Sequence, residues 1–215
     1  MALKVLGIST SPRQGGNSDT LLRQAIAGAE AAGAATEYLS VGALRIAPCV
    51  ECCACARTGS CRAQDDFQGV FAKLLEADRL IFATPVFFMS VSAQAKLLID
   101  RCQCLWSRKY LLKQPFFADG PRDRRALVIA VGGSKSKKMF ESVRLTMKYW
   151  LDATEFDYVA NLFVNHVDER GDIAKVPAAM QEAFRLGREL ASADVPKPQE
   201  PTTAEFFGSP GAARP

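Results

Sequence analysis

Five short apolar runs, alternating along the chain with segments of helical spacing, predict an α/β protein with a five-stranded parallel sheet and helices on both faces. The runs are nearly uniform in apolar character, which marks strands buried on both sides. Alternation over the whole length requires crossover connections, and these are right-handed. In such sheets ligands gather beyond the carboxyl ends of the strands, where the strand order reverses. The loops after the first, third and fourth strands are therefore where a site is expected.

The first strand is Lys4–Ser9 (KVLGIS). A loop rich in Ser, Gly and Asn leads into a helix over 19–32, with Leu21, Leu22, Ile26 and Ala29 at helical spacing. Residues 36–41 form a weaker second strand, followed by an irregular cysteine-rich stretch at 47–66. A short helix over 67–75 precedes the third strand, 79–84 (RLIFAT), which Pro85 should stop. The next helix runs over 93–105, and a polar, basic connection broken by Pro115, Gly120 and Pro121 runs over 107–125. The fourth strand, 126–131 (ALVIAV), ends at Gly132 and Gly133. A helix over 139–151, a fifth strand over 156–164 and a helix over 177–193 complete the pattern. Prolines recur from Pro196 onward and periodicity is lost, so 195–215 reads as an extended or disordered tail. Residues 1–194 read as one domain with a cysteine-rich insert near 47–66.

The 215 residues suffice for one full-sized core. A net charge of +4, from 27 basic and 23 acidic residues, is too mild to predict a nucleic-acid partner. No apolar run approaches the roughly 20 residues of a membrane helix, and the apolar stretch after Lys4 is too short for a secretory signal, so a cytoplasmic protein is expected. Seven cysteines in a reduced compartment point to metal or redox chemistry before disulfides.

The loop after the first strand runs from Ser9 to Ser18 (STSPRQGGNS) into a helix N-terminus. Unpaired backbone N–H groups and the helix dipole make such a junction an anion site. The hydroxyls of Ser9, Ser11 and Ser18, the Asn17 amide and two glycines suit a phosphate monoester, and Arg13 can add charge-assisted bonds. The same residues also suit a plain turn with Ser18 as the helix cap. Neither the dinucleotide G-x-G-x-x-G spacing nor the Gly-Lys-Ser/Thr of a P-loop is present.

Cys49, Cys52, Cys55 and Cys61 form a C-x2-C-x2-C-x5-C pattern, with Cys53 as an extra thiol. Four thiolates at this spacing can wrap an iron–sulfur cubane or hold a zinc ion, or remain free. Cys102 and Cys104, two residues apart on a helix, read as packing residues. His166 is the only histidine and falls in a loop expected to be solvated, so Ser-His or Cys-His catalysis has little to build on. Lys135, Lys137 and Lys138 read as a solvated helix start.

The motif G-I-S-x-S-P-R-x-x-G-N-S resembles the phosphate loop of the NADPH-dependent FMN reductase and iron–sulfur flavoprotein branch of the flavodoxin-like superfamily. Residues 83–103 (ATPVFFMSVSAQAKLLIDRCQ) resemble that family's second flavin loop and the helix after it, with Phe87 and Phe88 at its aromatic positions. The cysteine pattern resembles the compact motif of the iron–sulfur members. The resemblance spans residues 4 to 190 and implies a flavodoxin-like oxidoreductase that binds FMN, with a [4Fe–4S] cluster on Cys49, Cys52, Cys55 and Cys61. It also implies NAD(P)H as a possible donor, an acceptor that is a small molecule or redox protein, and a homodimer or homotetramer. A flat tricyclic ring needs backbone amides at its polar edge and apolar side chains on its faces, which Thr84, Pro85, Val86, Phe87 and Phe88 can supply beside Gly132 and Gly133. A cluster-free NAD(P)H-dependent FMN or quinone reductase and a non-enzymatic electron carrier are the alternatives. Trp106, Tyr110 and Phe116 are candidates for a dimer surface or lid, and Phe206 with Phe207 for an anchor on a neighbouring subunit.

Overall fold

The computed structural model describes residues 2–192 and 195–208. Its strands are β1 (Lys4–Ser9), β2 (Ala35–Ser40), β3 (Arg79–Phe87), β4 (Ser90–Val91), β5 (Arg125–Val131), β6 (Asp157–Asn165) and β7 (Thr202–Phe207). The helices are α1 (Asn17–Ala31), α2 (Cys55–Thr58), α3 (Phe67–Glu76), α4 (Ala93–Arg101), α5 (Gln103–Trp106), α6 (Met139–Ala153) and α7 (Pro177–Leu190). The parallel sheet has the order β2-β1-β3-β5-β6-β7, and β4 forms an antiparallel hairpin with β3. All five expected strands are present in the flavodoxin-like order, with the reversal between β1 and β3.

The strand count is six parallel strands rather than five. The sixth, β7, lies within the stretch expected as an extended or disordered tail and pairs with β6 from Ala160↔Thr202 to Asn165↔Phe207. Its period-2 signal is carried by two inward residues alone, Ala204 and Phe206, which pack against the core of the same chain. Phe206 thus packs against the core of its own chain, while Phe207 is exposed and lies against the His166 ring. His166 is not merely solvated: its Nδ1 lies 2.9 Å from the Gly208 carbonyl oxygen and fastens the end of β7. Residues 209–215 lie outside the described residues.

Pro85 does not stop β3. Pairing of β1 with β3 ends at Ser9↔Ala83, so the Pro85 nitrogen has no strand on that side to serve, while Pro85↔Val131 continues the ladder with β5.

Each strand divides its side chains between two cores. On β5, Leu127, Ile129 and Val131 join the core under α1 and α7, whereas Ala126, Val128 and Ala130 join the core under α3, α4 and α6. A run that reads as uniformly apolar is thus used on both faces.

Helices α1 and α7 touch backbone to backbone. A Cβ at Gly28 would stand 2.0 Å from the Phe184 carbonyl oxygen, and one at Gly187 would stand 1.9 Å from that of Ala25. Any side chain there forces the helices apart. Gly28→Ala and Gly187→Ala should each destabilise the fold by about 1–3 kcal/mol, the usual range for overpacking. Urea unfolding midpoints measure this, and wild-type midpoints in both variants would contradict it.

Candidate functional site

The loop after β1, the start of α1, the end of β3 and the loop after β5 converge on one cleft at the carboxyl edge of the sheet. Ser11, Arg13, Asn17 and Ser18 line it from the first loop, Pro85, Val86 and Phe87 from the second, and Gly132 and Gly133 from the third. Val167 and Asp168 close the remaining side. Gly16 caps α1 without any side-chain hydrogen bond, so the first-turn N–H groups are left for a ligand. The Ser18 hydroxyl is buried in this cleft with no hydrogen-bond partner among the described residues. Arg13 is exposed at the rim.

Ser11 folds the loop back on itself, its Oγ accepting from the Arg13 N–H at 3.2 Å and donating to the Arg13 carbonyl at 2.9 Å. Asn17 is already engaged. Its Nδ2 donates to the Glu169 carbonyl at 2.8 Å, and its Oδ1 accepts from the Gly171 N–H at 3.1 Å. It ties the start of α1 to the loop carrying Asp168. Ser9 is buried behind the cleft and bonds to Asp19.

Asp19 holds this loop from below, a role that composition did not reveal. Its carboxylate accepts from the Tyr38 hydroxyl at 2.7 Å, the Gly15 N–H at 3.1 Å and Arg23 Nε at 3.2 Å. Burial alone would raise its pKa, but the hydrogen bonds from Tyr38, Ser9, Gly15 and Arg23 outweigh burial and hold it below the ordinary value.

The second loop is a two-residue hairpin. Val86 pairs with Val91 and Phe87 with Ser90, so Phe88 and Met89 form the turn, at φ of 47° and 62°. Both are left-handed, as hairpins of this length require, although neither is glycine. Phe88 therefore stands fully in solvent at the tip, while Phe87 stays in the cleft wall. Thr84 is buried, and its hydroxyl accepts from the Ser92 N–H at 3.1 Å to brace the hairpin. Ser92 in turn caps α4 and donates to the Thr10 carbonyl at 2.9 Å, which locks the first loop to the second.

The cysteine loop lines a separate and larger cavity of about 690 Å3. Cys49, Cys52, Cys53, Cys55 and Cys61 face it from the loop, and Cys102 and Cys104 from the α4–α5 junction. Both helix cysteines are buried in the core, and burial pushes the Cys104 thiol up to about 12, with the Cys61 and Cys55 sulfurs acting in the same direction. Among the described residues no three His, Cys, Asp or Glu side chains stand close enough to hold one metal ion. Two buried N–H groups of this wall, Arg101 Nε and Trp150 Nε1, have no hydrogen-bond partner among the described residues.

The chain matches the profile of the family described as NADPH-dependent FMN reductase over residues 3–162. It is 41% identical over 103 residues to an iron–sulfur flavoprotein of Methanocaldococcus jannaschii, covering 48% of this chain and 53% of that one. The chain thus spans about half the length of that relative. A Bacillus subtilis protein, named as an inferred NAD(P)H-dependent FMN-containing oxidoreductase, is 34% identical over 86% of this chain and 96% of its own. The solved structure of an NAD(P)H:quinone oxidoreductase from Methanothermobacter marburgensis superimposes with a TM-score of 0.69 at 19% identity, over 88% of this chain and 96% of that one, which shows the shared fold.

Asp19 is expected to stabilise the fold at neutral pH but not in acid. Its folded pKa lies below the unfolded value of about 3.9, so its contribution is complete above that value and is lost as pH falls through the lower folded one. Asp19→Asn should therefore be less stable than wild type at pH 7, by about 1–3 kcal/mol. The two should converge as pH falls through that lower folded value. Urea midpoints across pH check this, and equal midpoints at pH 7 would refute it.

Proposed function

The chain belongs to the NADPH-dependent FMN reductase family, and from that premise we propose that it is an FMN-dependent oxidoreductase that passes electrons from NAD(P)H to an acceptor. The observation that carries this reading is the unpartnered, buried Ser18 hydroxyl in a cleft where three loops and a helix N-terminus meet. A phosphate monoester there would accept from Ser18, from the first-turn N–H groups and from Arg13. Ser9, Asn17 and Thr84 act from behind, holding the loops in place. The flavin ring would lie along Pro85, Val86 and Phe87 and against the backbone of Gly132 and Gly133, with Phe88 at the hairpin tip free to cover it. Bound FMN would supply the exchange between a two-electron donor and one-electron acceptors; the protein supplies position and exclusion of water.

The cysteine motif extends this reading to a [4Fe–4S] cluster on Cys49, Cys52, Cys55 and Cys61. In its support, all four thiols open into one cavity. Thiolates around one zinc ion, bound at about 2.3 Å, would stand closer together than those around a cubane. Helix α4 joins the two places. Its first residues are braced to the flavin hairpin and its last carries Arg101 at the cysteine loop, nine residues or about 13 Å apart. The B. subtilis relative, matched over nearly its whole length, favours the alternative of a cluster-free NAD(P)H-dependent FMN or quinone reductase. The partners proposed are a reduced donor and a small-molecule or redox-protein acceptor. No helix among the described residues is long and apolar enough to cross a membrane. Homodimer or homotetramer formation is proposed from the apolar stripe of Leu145 and Tyr149 on α6 beside Phe88 and Met89.

Ser18→Ala should leave the FMN-free protein at least as stable as wild type, since it removes an unsatisfied hydroxyl. It should weaken FMN binding by about 0.5–1.5 kcal/mol, and Arg13→Ala by about 1.5–3 kcal/mol. Fluorescence titration with FMN reads both, and unchanged affinity in the two variants removes the phosphate assignment.

Anaerobically reconstituted protein should contain about four irons and four sulfides per chain. Cys→Ser at position 49, 52, 55 or 61 should lose iron while FMN stays. Wild type with flavin but no stoichiometric iron would leave the cluster-free reductase in place.

A further inference from the structure

Arg101 is the last residue of α4 and is 2% exposed. Its guanidinium reaches into the neck of the cysteine loop. Nη1 donates to Asp65 Oδ2 at 2.6 Å and to the Ala47 carbonyl at 2.8 Å, and Nη2 donates to Asp65 Oδ1 at 3.1 Å. Asp65 accepts in turn from the Ala47 N–H and the Phe67 N–H, both at 3.0 Å. One ion pair, buried on its arginine side, therefore ties residue 47 to residues 65 and 67, the two ends of the loop that carries the thiols. The cation also lies 4.7 Å over the Phe67 ring.

Nε is the remainder. It is buried, it belongs to the cavity wall that the cysteines face, and it has no partner among the described residues. Native proteins rarely leave a buried charged donor unpaired. A lysine would supply the charge favoured at a helix C-terminus, whereas only the planar fork of an arginine can bind Asp65 with two nitrogens and keep a third for another acceptor.

We propose that Arg101 is a positioning residue for the bound iron–sulfur cluster: through Asp65 it closes the neck of the 47–66 loop, and its Nε–H donates to a sulfur of the cluster. The proposal rests on the cluster reading above. A cation and an N–H donor beside a cluster stabilise its more negative, reduced form, so Arg101 raises the reduction potential as well as retaining the iron.

The test compares anaerobically reconstituted wild type, Arg101→Met and Arg101→Lys for iron, sulfide, bound FMN and cluster midpoint potential. Arg101→Met should keep FMN, release iron at about tenfold lower chelator concentration, and show a more negative potential. Arg101→Lys, which keeps the charge and lacks the third donor, should fall between Met and wild type. Wild-type iron retention and potential in Arg101→Met overturn the proposal while leaving the cluster in place. If Arg101→Met loses FMN and native circular dichroism, Arg101→Lys decides: a lowered potential supports the donor, and a wild-type potential overturns it. Wild type holding FMN without iron overturns the cluster reading and this proposal with it.

Discussion

Every crossover helix in this fold runs antiparallel to the strands it connects, and that constraint sorts the charges of the whole molecule. Helix N-termini collect at the carboxyl edge of the sheet and C-termini at the amino edge. At the carboxyl edge the first turn of α1 has no side-chain cap and faces a cleft lined by hydroxyls. The amino edge is filled by arginines. Arg124, 1% exposed, donates to the carbonyls of Ala77 and Thr154 at 2.9 and 2.7 Å and to that of Leu74, so it closes the ends of α3 and α6 together. Arg79 does the same for α7, with Nε donating to the Leu190 carbonyl at 2.8 Å. The fold satisfies its helix ends internally on one side and leaves the first turn of α1 without a side-chain cap on the other.

The loops of the cleft are braced by side chains that stand mostly behind it. Asp19 holds the first loop through Gly15, Ser92 links that loop to the hairpin after β3, and Asn17 fixes the opposite wall. These groups bond mainly to backbone, so the positions of ligand-facing atoms follow from buried hydrogen bonds and not from loop length. The hairpin tip is the exception. Phe88 and Met89 adopt left-handed backbone angles without being glycine, a cost that a two-residue turn imposes and that keeps Phe87 in the wall while lifting Phe88 out of it.

The cysteine loop is organised differently. It has little regular structure beyond the four residues of α2, and its ends are joined by the Asp65–Arg101 pair. That pair is mounted on α4, the helix whose other end is locked to the β3–β4 hairpin, so both places are referred to one element. The cleft and the cysteine cavity, held by opposite ends of the same helix, keep their separation when either loop adjusts.

Much of this was legible in the sequence. The five apolar runs gave the strands and the faces they share, because periodicity is local and a strand buried on both sides has few residue choices. The Ser9–Ser18 loop, the Thr84–Phe88 loop and Gly132–Gly133 were recognisable by composition and position, and the structure brings most of them to one cleft. The strand β7 was not legible, since two inward residues between prolines carry too weak a period. Nor were the roles of Asp19, Arg79, Arg101 and Arg124. Their partners lie up to 111 positions away, and most are backbone groups. The sequence by itself determined which segments become strands and helices and which loops carry chemistry. Tertiary structure alone decided which donors are consumed and which remain for a ligand, because that depends on which distant groups packing brings within hydrogen-bond reach.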